Sequence, residues 1–188
     1  ALGGDQAFYY TQHLVPFGEY LPLRWLIGRG LDALAVPNAD FSSGGAGQKL
    51  LNAAGVPVSS SICFEVVFGE QIILDLPEAA LLVNVSNDAW FGDSLATHQH
   101  LEMARMRARE SGRPMLRATI TVISAVIVAR GITVVLSPQF EEAVVTAKVQ
   151  AYQGATPYVL TGNWPVLILS ALLVLVPLVI GRRRGTGS

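Results

Sequence analysis

Apolar and polar positions along this 188-residue chain fall into short blocks whose period changes several times. Residues 8–14 read as a strand entering a Pro16-Phe17-Gly18-Glu19 turn. Residues 23–34, bracketed by Pro22 and Pro37, predict a short helix, and the Ser/Gly-rich 41–48 a loop. After a turn at 52–55, the run from Val56 to Cys63 predicts a strand with the cysteine at its C-terminal end. Residues 68–76 fit a short helix that stops before Pro77. The unbroken apolar run 80–85 predicts a buried strand, closed by the polar turn Ser86-Asn87-Asp88.

The clearest helix covers 96–111. Leu101, Ala104, Met106 and Ala108 supply its apolar side; Arg105, Arg107, Arg109 and Glu110 its polar side; Gly112 and Pro114 end it. Residues 115–128 and 132–136 predict strands around an Ala129-Arg130-Gly131 hairpin. Strands and helices alternate, which argues for a layered α/β domain.

The last block has a different character. No charged residue occurs between Lys148 and Arg182, and the stretch 158–181 is long and apolar enough to predict a transmembrane helix. Tyr158 and Trp164 suit an interfacial belt. Arg182, Arg183 and Arg184 follow at once, so the tail 182–188 is expected on the cytoplasmic side and residues 1–157 on the opposite face.

Composition sharpens this. The chain is 51% hydrophobic and 14% charged, with net charge −1, which gives no case for nucleic-acid binding. Of its basic residues only Lys49 and Lys148 are lysine. The single cysteine, Cys63, excludes an internal disulfide. The start at Ala1 and the turn-like Gly3-Gly4-Asp5 read as the interior of a longer protein.

Candidate chemistry collects where apolar runs end: His13 with Glu19, Cys63 with Glu65, and Asn87 with Asp88. Strand ends are where layered α/β folds gather reactive groups. A lone buried cysteine is more often a small core residue than a nucleophile. His98 and His100, two apart on a helix, point to different faces, so with Asp93 they predict no metal site. Trp90-Phe91-Gly92 reads as a lipid-facing or pocket-lining loop.

Taken in order, five segments resemble one family. They are His13-Leu14-Val15-Pro16-Phe17-Gly18-Glu19-Tyr20, Ile62-Cys63-Phe64-Glu65, Asn87-Asp88-Ala89-Trp90-Phe91-Gly92, Met103-Ala104-Arg105-Met106-Arg107-Ala108 and Thr161-Gly162-Asn163-Trp164-Pro165. Together they resemble the apolipoprotein N-acyltransferases, the membrane-bound branch of the nitrilase superfamily. The resemblance implies the C-terminal part of a nitrilase-like αββα sandwich in residues 1–157, incomplete at its N-terminus and followed by one transmembrane helix. It implies a catalytic domain on the periplasmic side of a bacterial inner membrane. The expected partners are a phospholipid acyl donor, a diacylated lipoprotein acceptor and the lipid bilayer; no cofactor is implied.

By that resemblance Cys63 is the nucleophile that carries a fatty acyl thioester, and Glu19 and Glu65 are the glutamates of the two flanking motifs. Thr11 occupies the position of the family's catalytic lysine, and Phe64 stands where tyrosine is frequent. Phe64, Trp90, Phe91 and His13 are expected to line the substrate site. The general-base glutamate belongs to the N-terminal half of the domain. After Arg117-Ala118-Thr119 the family's polar Asn with a nearby Gly is replaced by Ile120-Thr121-Val122, and Val128 and Ile132 are unusually apolar. The chain as it stands is therefore expected to lack turnover. The alternatives are a nitrilase-type amidase using water as acceptor and a non-catalytic, membrane-anchored degenerate copy. Half a sandwich should also leave apolar sheet surface exposed and require detergent.

Overall fold

The computed structural model describes residues 7–16, 18–20 and 41–185. The helix expected at 23–34 lies outside them. The framework is one six-stranded mixed sheet in sequential order: β1 (Leu51–Ala53), β2 (Val56–Ile62), β3 (Leu81–Asn87), β4 (Met115–Ile120), β5 (Ala125–Ile127) and β6 (Thr133–Leu136). Strands β2, β3 and β4 are parallel, so their carboxyl ends share one edge; the other neighbours pair antiparallel. The helices are α1 (Gly69–Ile72), α2 (Leu95–Ser111), α3 (Pro157–Thr161) and α4 (Trp164–Gly185).

Helix α2 buries the stripe Thr97, His100, Leu101, Ala104, Ala108 and Ser111, which is one helical face. Ala104 and Ala108 carry almost no side chain, so the helix approaches the sheet closely. There it meets Leu82, Met115, Ala125 and Ile127 in the main apolar cluster. Met106, expected on the apolar side, is exposed, because its place on the helix turns it away from this stripe. Gly112 ends the helix at φ 66°, the left-handed cap that glycine adopts without steric cost.

The opposite sheet face is thinly covered. On that face Val85 is 47% and Ile120 59% exposed.

Three sequence expectations change. Residues 8–14 form no ladder strand, because their backbone groups are satisfied by side chains. Tyr10 donates its N–H to Gln48 Oε1 at 2.8 Å, and its carbonyl accepts from Gln48 Nε2 at 2.6 Å. The run 115–128 is two antiparallel strands. Thr121 adopts φ 66°, and Thr119 donates its N–H to Ser124 Oγ at 3.0 Å, which closes the reversal. The apolar C-terminal segment is not one helix from 158, since Gly162 at φ 54° separates α3 from α4.

Every residue of α4 from Trp164 to Leu178 is exposed. Among the described residues, no helix is long and apolar enough to cross a membrane.

Buried Arg113 fastens the chain ahead of α3. It donates to the carbonyls of Ala79 at 2.7 Å, Pro77 at 3.1 Å and Gly154 at 2.6 Å.

Candidate active site

Strand β2 alternates inward Ser59 and Ser61 with outward neighbours, and its last residue hands the chain to a 3-10 turn, Cys63–Val67. Cys63 opens that turn at φ 51°, a conformation that favours glycine. A non-glycine residue there costs about 1–3 kcal/mol and persists only where its surroundings fix it. The effect is to lift a partly exposed thiol from the strand axis at the carboxyl edge of the sheet.

Glu65, fully buried, closes the same turn. Its Oε2 accepts the Ile62 N–H at 2.7 Å and the Tyr9 hydroxyl at 3.0 Å. Its Oε1 accepts the N–H groups of Gln12 and His13, the latter at 3.1 Å. Four donors saturate this carboxylate, so its work is to tie the 9–13 segment to the cysteine turn. Burial first, and then the Glu65 charge, raise the Tyr9 phenol well above its ordinary value.

His13 stacks on Phe68 with ring centroids 4.4 Å apart, and Phe64 meets the same ring edge-on at 5.3 Å. Glu19 turns back on its own loop, where its Oε2 accepts the Val15 N–H at 2.8 Å. The Thr11 carbonyl accepts the Gly44 N–H at 2.8 Å. Among the described residues, no hydrogen bond joins Glu19 or Thr11 to Cys63. Trp90 is 89% exposed. Phe91 lies edge-on to His100 at 6.2 Å.

Beneath the cysteine lies a buried polar network that the motif reading did not single out as a unit. His100 Nε2 is 3.3 Å from the Cys63 carbonyl oxygen; that oxygen only accepts, so Nε2 carries the proton. Asn84 Nδ2 donates to the same oxygen at 3.4 Å and to Ser61 Oγ at 3.1 Å. Arg117 donates through Nη1 to Asn84 Oδ1 at 2.7 Å and through Nη2 to Asp88 Oδ2. His100 Nδ1 lies 3.0 Å from the same carboxylate oxygen, and Ser86 Oγ donates to Oδ1.

Burial alone would raise the Asp88 carboxyl. The hydrogen bonds from His100 and Ser86 and the Arg117 charge outweigh it and hold Asp88 below the ordinary carboxylate range. The signal in the sequence is a set of polar residues inside the strands: Ser59 and Ser61 in β2, Asn84 and Ser86 in β3, and Arg117 in β4.

Beyond the end of β4 a cleft of about 600 Å3 opens, with Ile120, Val122 and Phe140 among its walls and Ser124 and Ser137 beside them. No group of metal-binding side chains occurs among the described residues.

Residues 16–158 match the Carbon-nitrogen hydrolase family model. The chain is 52% identical over 173 residues to the apolipoprotein N-acyltransferase of Methylococcus capsulatus, covering 92% of this chain and 34% of that protein. It is 51% identical over 167 residues to the apolipoprotein N-acyltransferase of Nitrosomonas europaea, covering 89% and 34%. It thus spans about a third of the length of these curated relatives. Among solved structures, a carbon-nitrogen hydrolase from Helicobacter pylori G27 aligns with TM-score 0.48 and 15% identity over 54% of this chain and 43% of that one. With the match extending over most of its length, this chain belongs to the carbon-nitrogen hydrolase family.

Proposed function

We propose that this chain is the thiol-bearing part of a lipoprotein N-acyltransferase, with Cys63 as its nucleophile. The observation that carries the reading is Cys63 itself, held at φ 51° on the turn after β2, at the shared carboxyl edge of β2, β3 and β4. Similarity to proteins named apolipoprotein N-acyltransferase supports the substrate class.

In the first half-reaction the Cys63 thiolate attacks the ester carbonyl of a phospholipid. A C–S bond forms, the C–O bond breaks, and the lysophospholipid oxygen leaves with a proton. In the second, the free α-amine of a diacylglyceryl-cysteine attacks the thioester, the amide forms, and the thiol is released. Covalent catalysis replaces one difficult exchange with two easier ones. A thiolate is required, and a donor must meet each tetrahedral oxyanion.

His13, Phe64 and Phe68 form an aromatic wall near the cysteine turn, and Phe91 and exposed Trp90 lie on the loop after β3. In this reading the one described sheet is half of an αββα sandwich. The exposed apolar residues of α4 anchor the chain at a bacterial inner membrane, with the catalytic part on the periplasmic side and Arg182–Arg184 cytoplasmic. Glu65 positions the 9–13 segment. Thr11 offers a hydroxyl where the related enzymes are expected to carry an ammonium, so the chain as it stands is expected to lack turnover.

The family match also favours a second reading, an amidase with water as acceptor. Labelled phospholipid and a diacylglyceryl-cysteine peptide, supplied together to the detergent-solubilised Thr11→Lys protein in a full-length context, separate the two. N-acylated peptide that disappears in Cys63→Ala supports the transferase. Free fatty acid alone, formed at the same rate without peptide, contradicts it.

A further inference from the structure

We propose that Arg117 is a positioning residue for the Cys63 thiol, acting through His100 and Asn84. The inference rests on Cys63 being the nucleophile, as proposed above.

Cys63 holds a backbone conformation that a cysteine does not adopt without support. Its carbonyl oxygen receives that support from His100 Nε2 at 3.3 Å and Asn84 Nδ2 at 3.4 Å. One guanidinium holds both donors: Nη1 of Arg117 lies 2.7 Å from Asn84 Oδ1, and Nη2 donates to Asp88 Oδ2, the oxygen that lies 3.0 Å from His100 Nδ1. The placement is built into the sheet. Ser61, Asn84 and Arg117 are register partners across β2, β3 and β4, so their side chains emerge in one row under the cysteine turn. A rigid planar fork presents its two donors in a geometry fixed in advance, whereas a lysine ammonium presents rotatable donors from a single point.

The charges facing Arg117 are the Asp88 carboxylate from the end of β3, His100 from α2 and the Cys63 thiol from the turn. Burial lowers the Arg117 guanidinium, and the negative charges on Asp88 and Cys63 raise it, so the cation is coupled to both. Removing it leaves a buried carboxylate uncompensated near the thiol and two donors unheld. The cysteine turn then loosens.

Because Cys63 is the only cysteine, its alkylation by iodoacetamide can be followed by intact mass as a function of pH in the detergent-solubilised protein. Arg117→Met is expected to lose about tenfold in alkylation rate at neutral pH, because the two donors to the Cys63 carbonyl are no longer held. Arg117→Lys is expected to recover part of that rate. His100→Gln keeps an N–H donor toward the Cys63 carbonyl and should react within about threefold of the parent, whereas His100→Leu should be about tenfold slower.

An Arg117→Met protein with an unchanged alkylation rate overturns the proposal. Should that variant fail to fold, equal rates for His100→Gln and His100→Leu overturn it instead. The assay needs no lipid. Failure of acyl transfer with this alkylation pattern intact would count against the transferase reading and leave the Arg117 assignment standing.

Discussion

The Glu65 carboxylate accepts the backbone N–H of His13 at 3.1 Å, across 52 positions of sequence. Two residues after the candidate nucleophile, a buried acid thus holds the segment bearing His13 beside the cysteine turn. Glu65→Gln places an amide N–H2 among four donors that all need an acceptor. The expected cost is about 2–4 kcal/mol of unfolding free energy, read by denaturant titration. Faster hydrogen exchange should appear at the amides of Gln12 and His13. A variant as stable as the parent, with unchanged exchange there, would contradict this role.

Asp88 makes the network acid-sensitive. Its folded value is depressed, so the unfolded chain takes up the proton first as pH falls. Its contribution is complete above the ordinary value of 3.8 and is lost as pH drops through the lower folded value. Asp88→Asn should flatten this acid limb in a stability-versus-pH series. At neutral pH it should cost about 3–5 kcal/mol, because Arg117 stays buried without its counter-charge.

Gly69 packs where Arg107 and Tyr158 converge; a Cβ there would lie 2.5 Å from the Tyr158 hydroxyl and clash with Arg107 Nη1. Gly69→Ala must push these side chains aside, at about 1–3 kcal/mol. The contact joins α1 to α3, and Asn163 Nδ2 donates to Glu70 Oε1 at 2.9 Å alongside it. Limited proteolysis should therefore cut near 157–163 faster in the variant. Unchanged proteolysis and melting would remove this latch from the account.

Strand β2 and helix α2 were legible in the sequence because their burial periods, 2 and about 3.6, are local properties. The reversal at Thr121 was not: threonine favours strands, and its left-handed backbone is imposed by the Ser124 and Ser137 contacts around it. For residues 8–14 the pattern predicts a strand where no ladder forms, because the partner of Tyr10 is the side chain of Gln48. Cys63, Glu65 and Asp88 stand in recognisable motifs. The bonds that give Glu65 and Asp88 their work come from Gln12, His100 and Arg117, and nothing in local spacing encodes those distances.

Thr11 offers a direct gain-of-function test. Thr11→Lys introduces an ammonium at the position matched to the related enzymes' lysine. It should accelerate thioester formation on Cys63 by at least about tenfold, the scale of one stabilising charge. The fraction of acylated protein after a short incubation with phospholipid reads this out, and no gain would sink the assignment of that position.

The central claim is that Cys63 carries an acyl group. The most direct measurement is the intact mass of the Thr11→Lys protein after incubation with phospholipid vesicles of one defined acyl composition. The expected result is a mass increase equal to that acyl group, removed by neutral hydroxylamine and absent from Cys63→Ala. Unmodified protein whose Cys63 still reacts with iodoacetamide would contradict it.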